Sequence, residues 1–168
     1  MAETHPVSTW NPLDYFSREE LARLDERFSH ALRDATCLVF WTGLSPQLAQ
    51  CWAAQHGLQT LIIAMGPLYS DRGVGGARYG KSSKAWTKYM KRASGRFTEY
   101  ACRGSRRAVV LTRPPPDIYS IRDWSNYRHV EEPILKGARG GHGAVRIDYV
   151  HPTIKGGATF QYQIWPLR

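Results

Sequence analysis

Two short apolar runs set the main limits on how this chain can fold. The first, CLVFW, spans Cys37–Trp41, and the second, AVVL, spans residues 108–111 and precedes three consecutive prolines at 114–116. Apolar runs of this length, without alternating polar positions, are typical of strands that are buried on both faces. The sequence before and between them has helical patterns, which predicts helices packed on a small central sheet.

Three helices are predicted around these strands. The first covers residues 17–35 and opens with the capping box SREE. Its apolar stripe consists of Leu21, Leu24, Phe28 and Leu32. The second covers residues 45–57, with a proline in its first turn. The third is long and basic, covers residues 82–102 and stops at Gly104.

The remaining segments complete the predicted fold. Residues 60–63, TLII, are predicted to form a further strand, and residues 71–80, with four glycines, a flexible loop. Apolar and polar residues alternate over 145–149 and again over 160–164, which indicates a C-terminal β-hairpin. We therefore predict an α/β or α+β domain over residues 15–168, with N-terminal helices on a small, mainly parallel central sheet, preceded by an irregular arm at residues 1–14.

The charge distribution indicates an anionic partner or substrate. The chain has 23 Lys and Arg against 14 Asp and Glu, a formal charge of +9. Residues 72–113 contain twelve of these cations and a single acid, Glu99. Such a region is typical of proteins that bind an anionic small molecule or protein, although it also fits a nucleic-acid surface or a merely solvated face. We take nucleic acid to be the less favoured partner.

The cysteine and hydropathy patterns indicate the cellular compartment in which the protein is expected. Cys37, Cys51 and Cys102 lack the spacing of a metal or redox site, so we expect buried free thiols in a reducing compartment, and no metal or cofactor. No apolar run is long enough to span a bilayer, and the N-terminus lacks a signal-peptide pattern. We expect a cytoplasmic protein, or one delivered into a target cell without a cleavable signal peptide.

Two motifs suit a site that holds a planar ring and a sugar. Trp41 ends a predicted buried strand and is followed by Thr42 and Gly43, which would place a stacking surface beside exposed backbone N–H groups. Within the basic helix, Ser94 and Gly95 form a pair whose glycine costs about 1 kcal/mol of helix propensity, which favours close approach by a ligand or another backbone. Each motif alone also fits a structural role, as a core Trp or a tight helix contact.

The segment SNYRHVE, residues 125–131, adds an acid. Glu131 lies four residues after Tyr127, and Ser125 and Asn126 could donate hydrogen bonds to a phosphate or a ribose. A carboxylate in a dry aromatic pocket can stabilise an oxocarbenium-like sugar cation without a metal. Alone, Glu131 would more simply be an exposed acid.

Three segments, over about residues 39–135, resemble the ADP-ribosyl cyclase family, which includes the leukocyte NAD glycohydrolase. VFWTG at 39–43, followed by TLI at 60–62, is similar to the family's segment from its first pocket Trp to its TLED motif. SGRFTEYA at 94–101 is similar to its helix motif, and SNYRHVE to the segment that ends in its catalytic Glu. The resemblance places Trp41, Ser94 and Glu131 on family catalytic positions, and Asn126 on the family's Thr.

The resemblance implies an enzyme that cleaves the nicotinamide–ribose bond of NAD through an oxocarbenium-like intermediate. The products would be nicotinamide with ADP-ribose or cyclic ADP-ribose, and NAD would be a substrate, with no cofactor needed. Glu131 would stabilise the sugar cation, Ser94 would face the ribose, and Trp41 would stack on nicotinamide. The implied substrate-binding residues are Thr42, Gly43, Ile62, Trp86, Met90, Ser125, Asn126 and Tyr127.

The chain departs from the family pattern at two places. Ile62 and Ile63 replace the acids of TLED, which leaves the choice between hydrolysis and cyclisation open. Met90 occupies the position of the second pocket Trp, and Trp86, one turn earlier on the same helix face, could take its place. With few cysteines, the chain is more similar to compact toxin or effector members, and a toxin that drains NAD would need an inhibitory protein in its host.

Other functions stay open at this point. A basic nucleic-acid-binding or RNase-type toxin domain would explain the charge of residues 72–113. A catalytically inactive relative that only binds a nucleotide would explain the missing acidic pair. ADP-ribose transfer and base exchange share the same intermediate as hydrolysis and are not separated from it by the sequence.

Overall fold

The computed structural model describes residues 16–113, 125–137, 143–152 and 161–166. The helices are α1 (Arg18–Ala31), α2 (Pro46–Gln55), α3 (Leu61–Met65), α4 (Pro67–Ser70), α5 (Ser83–Arg103) and α6 (Glu132–Leu135), with a π-helical turn at Tyr127–Glu131 directly before α6. The strands are β1 (Cys37–Trp41), β2 (Gln59–Thr60), β3 (Arg107–Leu111), β4 (Arg146–Val150) and β5 (Gln161–Trp165). The predicted arm at 1–14, the prolines at 114–116 and residue 160 lie outside the described residues.

The strands form one five-stranded sheet in the order β2-β1-β3-β4-β5. The first four strands are parallel, and β5 returns antiparallel to β4. The predicted α/β class, the mainly parallel sheet and the C-terminal hairpin are thereby confirmed. The carboxyl ends of three strands are level, because Trp41 pairs with Leu111 and Leu111 with Val150. In parallel α/β sheets this edge is where ligands bind.

Both faces of the central strands are buried, as the apolar runs predict. Phe40 and Val110 contact one core cluster, together with Phe28 of α1 and Phe97 of α5. Phe97 packs against Phe28 and Phe40 with ring centroids 5.6 and 5.4 Å away. On the opposite face, Val39, Val109 and Leu111 pack with Ala49, Trp52 and Ala53 of α2. Burial of each such large apolar side chain stabilises the fold by roughly 1.5–3 kcal/mol.

The predicted helix starts are confirmed, and one predicted strand is wrong. Ser17 forms a capping box with Glu20, and α5 runs to Arg103 with Gly104 as its C-cap. The strand predicted over 60–63 is limited to β2, and α3 begins at Leu61. The reason is local, because the Thr60 hydroxyl accepts a hydrogen bond from the backbone N–H of Ile63 at 3.1 Å and caps a helix.

The cysteines are less buried than expected, and one acidic side chain of β4 is more buried than its polar character suggests. Cys51 is exposed and Cys37 and Cys102 are half-buried, so the three free thiols are not a buried set. Asp148, a polar position in the alternating pattern of residues 145–149, is fully buried. Its carboxylate binds the side chains of Arg107 and Arg146, 3.3 and 2.6 Å away, which compensates its lost hydration.

None of the helices in the part of the chain that the structure describes combines the length and the apolar character that a bilayer crossing requires.

Candidate active site

A cavity of about 440 Å³ opens beside the end of β1, between α3, α5 and the π-helical turn. The structure brings all of the predicted site residues into its lining. These are Trp41, Thr42, Gly43, Ile62, Trp86, Met90, Ser94, Ser125, Asn126, Tyr127 and Glu131. The cavity is largely apolar and of a size typical of small-molecule sites.

Helix α5 supplies one wall through a single helical face. Trp86, Met90 and Ser94 follow one another at four-residue spacing and all line the cavity. Trp86 also stacks on Tyr89, with ring centroids 5.4 Å apart and an interplanar angle of 8°. Trp86 and Met90 therefore both contribute where the resemblance implies a single tryptophan.

The π-helical turn brings Asn126 and Glu131 together. In an α-helix, residues five positions apart point to different faces, whereas the wider π-helical turn brings them onto one. The Asn126 Nδ2 atom donates to Glu131 Oε1 at 3.2 Å and to Ser94 Oγ of α5 at 2.6 Å. One amide thus joins the carboxylate to the helix on the opposite side of the cavity.

These hydrogen bonds fix which way the Asn126 amide points. Its Nδ2 group faces two acceptors, so Oδ1 must take the other position. Oδ1 is buried and has no hydrogen-bond partner in the described part of the chain. A buried acceptor without a partner is costly, and a donor on a bound ligand, such as a sugar hydroxyl, would satisfy it.

Glu131 has a perturbed acidity. Burial raises the pKa of its carboxyl to about 7, although hydrogen bonds with Ser94 and Asn126 act to lower it. The residue is half-buried and reaches solvent through the cavity. A carboxyl that titrates near neutral pH in a cleft is a typical feature of catalytic sites.

This acidity predicts a stability effect that is independent of any activity. Between its usual pKa and about 7, Glu131 is protonated in the folded chain and ionised in the unfolded chain, so stability falls as pH rises through this window. Glu131→Gln removes the ionisation. We expect it to raise the free energy of unfolding by about 1–3 kcal/mol more at pH 8 than at pH 5. Urea unfolding of both proteins at the two pH values measures this difference in free energy of unfolding. If the variant and the wild type differ by the same amount at pH 5 and at pH 8, the perturbed acidity is contradicted.

Sequence reasoning missed part of the lining. Phe97 and Lys91 of α5 also line the cavity, and Lys91 is exposed at its border, where its ammonium suits an anionic ligand. The helical spacing that selects Trp86 and Met90 places Lys91 one residue beyond that face. The expected row of exposed backbone donors after Trp41 is wrong for Thr42, whose N–H donates to Leu111 O at 3.0 Å.

Within the described ranges, the structure brings no three His, Cys, Asp or Glu side chains together in an arrangement that could hold a metal ion. Comparison with protein-family models, with curated proteins and with solved structures gives no match. The resemblance to ADP-ribosyl cyclases therefore stays a prediction.

Proposed function

We propose that this chain cleaves the nicotinamide–ribose bond of NAD, as an NAD glycohydrolase or ADP-ribosyl cyclase. The observation that best supports this is the arrangement of Glu131, Asn126 and Ser94, joined by hydrogen bonds in a cavity lined by Trp41 and Trp86. The indoles would stack on the cationic nicotinamide ring, because aromatic faces attract cations. The ionised Glu131 would then face the ribose as positive charge develops on it.

The environment of Glu131 suits a reaction that needs no strong acid. Nicotinamide leaves NAD as a neutral molecule, so the protein has to stabilise the sugar cation rather than protonate the leaving group. A carboxylate acts more strongly on such a cation in an apolar cavity than in water. Asn126 Oδ1, which has no hydrogen-bond partner among the described residues, would accept a hydrogen bond from a ribose hydroxyl and hold the sugar against Glu131.

The second step depends on what reaches the cation. Water gives ADP-ribose, and the adenine ring of the same substrate gives a cyclic product. Ile62, on α3, lines the cavity where the family has an acid, and an apolar wall excludes water.

Incubation of the purified protein with NAD, with products separated on a column, tests the proposal. Either product together with nicotinamide supports it, and intact NAD would refute it.

The acidity of Glu131 predicts how the rate varies with pH. Because the ionised carboxylate is the active form, kcat/KM should rise with pH and level off above an apparent pKa near 7, the value for the free protein. A bound pyridinium cation favours the ionised form, so the corresponding limb of kcat should lie at lower pH. Initial rates of nicotinamide release over pH 5–9 measure both. A kcat/KM that falls as pH rises through this window would contradict the assignment.

One observation favours a second candidate function, nucleic-acid binding. Lys84, Lys88 and Lys91 are exposed on α5 at spacings of four and three residues, which forms a basic ridge beside the cavity. If RNA or DNA is the partner, its affinity should fall steeply with salt concentration, whereas cleavage of a small dinucleotide should change little. Release of nicotinamide from NAD would also exclude an inactive, nucleotide-binding relative.

We propose further that the activity is that of a toxin or effector, which would require a host protein that blocks the cavity. This rests on the resemblance alone.

A further inference from the structure

A second cavity, of about 480 Å³, lies next to the first. The two share Thr42, which follows β1, and Tyr127 of the π-helical turn. The second cavity extends from there over the β4–β5 hairpin, where Tyr149, Tyr162 and Gln163 line it. Two cavities of comparable size therefore meet at the side chains of Thr42 and Tyr127.

The two cavities differ in chemistry. Tyrosine rings dominate the aromatic lining of the second, with centroids 6.4 Å apart for Tyr127 and Tyr149 and 6.0 Å apart for Tyr149 and Tyr162. Arg128, Lys136 and Glu132 add charged groups to its lining, and Lys136 pairs with Glu132 at 2.7 Å, which leaves the lining net cationic. A tyrosine wall with amide and cationic groups suits a planar, polar ring that bears a phosphate, because rings stack on tyrosine and cations bind phosphate oxygens.

A chain of hydrogen bonds determines the direction in which the Tyr162 hydroxyl donates. The Thr112 hydroxyl donates to Arg113 O at 3.0 Å, so it accepts at its 3.0 Å contact with His151 Nδ1. His151 Nδ1 then holds the ring proton, and Nε2 accepts from the Tyr162 hydroxyl at 3.0 Å. The hydroxyl hydrogen of Tyr162 is thereby committed to His151, which holds the tyrosine ring in place at the wall of the second cavity.

We propose that the second cavity binds the purine nucleotide end of a dinucleotide whose nicotinamide end occupies the first, with Tyr162 as the stacking surface. The inference rests on the proposed function and adds the residues that would distinguish a dinucleotide from a mononucleotide. Thr42, shared by both cavities, lies where the diphosphate would cross. Nicotinamide mononucleotide contains the scissile bond but lacks the adenylate, and would leave the second cavity empty.

The test compares two substrates on matched variants. We expect Tyr162→Ala to lower kcat/KM for NAD about tenfold or more, the typical effect of removing a stacking aromatic, and to leave kcat/KM for nicotinamide mononucleotide unchanged. Tyr162→Phe keeps the ring and should lower only kcat/KM for NAD, by a smaller factor than Tyr162→Ala does. Tyr79→Ala, at an exposed tyrosine outside both cavities, is the control and should change neither value.

Activity on nicotinamide mononucleotide distinguishes loss of the purine subsite from misfolding of the variant, because misfolding would lower activity on both substrates. If Tyr162→Ala lowers kcat/KM equally for both substrates, or for neither, the inference is overturned. If the wild-type protein cleaves neither substrate, the proposed function fails, and calorimetric titration with AMP decides the inference alone. Binding of AMP that Tyr162→Ala weakens about tenfold supports a purine site, whereas no binding, or binding that the substitution leaves unchanged, overturns it.

Discussion

Glu131→Gln is expected to slow the release of nicotinamide from NAD by at least about 10²- to 10³-fold. Glutamine has nearly the same shape and can still accept a hydrogen bond from Asn126, but it has no negative charge to stabilise the sugar cation. Removal of one group that stabilises transition-state charge costs about this much in other enzymes. Because the charge develops only as the bond breaks, kcat should fall much more than the affinity for NAD.

A matched control separates the role of this carboxylate from a general loss of acidic charge. Glu26 is exposed on α1 and outside the lining of the cavity, so Glu26→Gln makes the same chemical change away from the site. Its rate should equal that of the wild-type protein. A Glu131→Gln protein that turns over NAD at a rate near the wild type would refute the role proposed for Glu131.

Arg96→Leu is expected to lower the free energy of unfolding by about 3–5 kcal/mol. The Arg96 guanidinium donates to both carboxylate oxygens of Asp25, at 2.7 and 2.9 Å, and to Glu99 at 2.7 Å. The side chains of Arg96 and Glu99 are each only 10% exposed, so leucine would leave a buried carboxylate without this cation. Urea unfolding followed by circular dichroism measures the loss.

Arg103 provides the comparison for this ion pair. Its guanidinium also approaches Glu99, at 3.9 Å, but its side chain is 62% exposed. Arg103→Leu removes the same type of charge and should change stability by less than about 1 kcal/mol, since solvent-exposed pairs contribute little. Equal losses for the two variants would show that burial does not set the strength of this interaction.

The sequence predicts those parts of the fold that depend on short-range pattern. The runs at 37–41 and 108–111 lack polar positions because β1 and β3 are covered on both faces. The spacing of Trp86, Met90 and Ser94 places them on one face of α5 whatever surrounds the helix. The sequence alone therefore places these three side chains on one wall of the cavity.

The remaining features depend on contacts or turns that a local pattern does not encode. Asp148 is buried because Arg107, 41 residues earlier, reaches its carboxylate from the neighbouring strand. The run LII suits a strand by composition, but one hydrogen bond to the Thr60 hydroxyl starts α3 there. The contact between Asn126 and Glu131 requires a π-helical turn, which is too rare to be predicted.

The reaction proposed for the indole-lined cavity is cleavage of the bond between nicotinamide and ribose. Its most direct test is a time course of free nicotinamide formed from excess NAD by the purified wild-type chain. Many molecules of nicotinamide per protein molecule are expected, at a rate that rises between pH 5 and pH 8. If no nicotinamide above the enzyme-free background forms at any pH in that range, the chain does not cleave NAD.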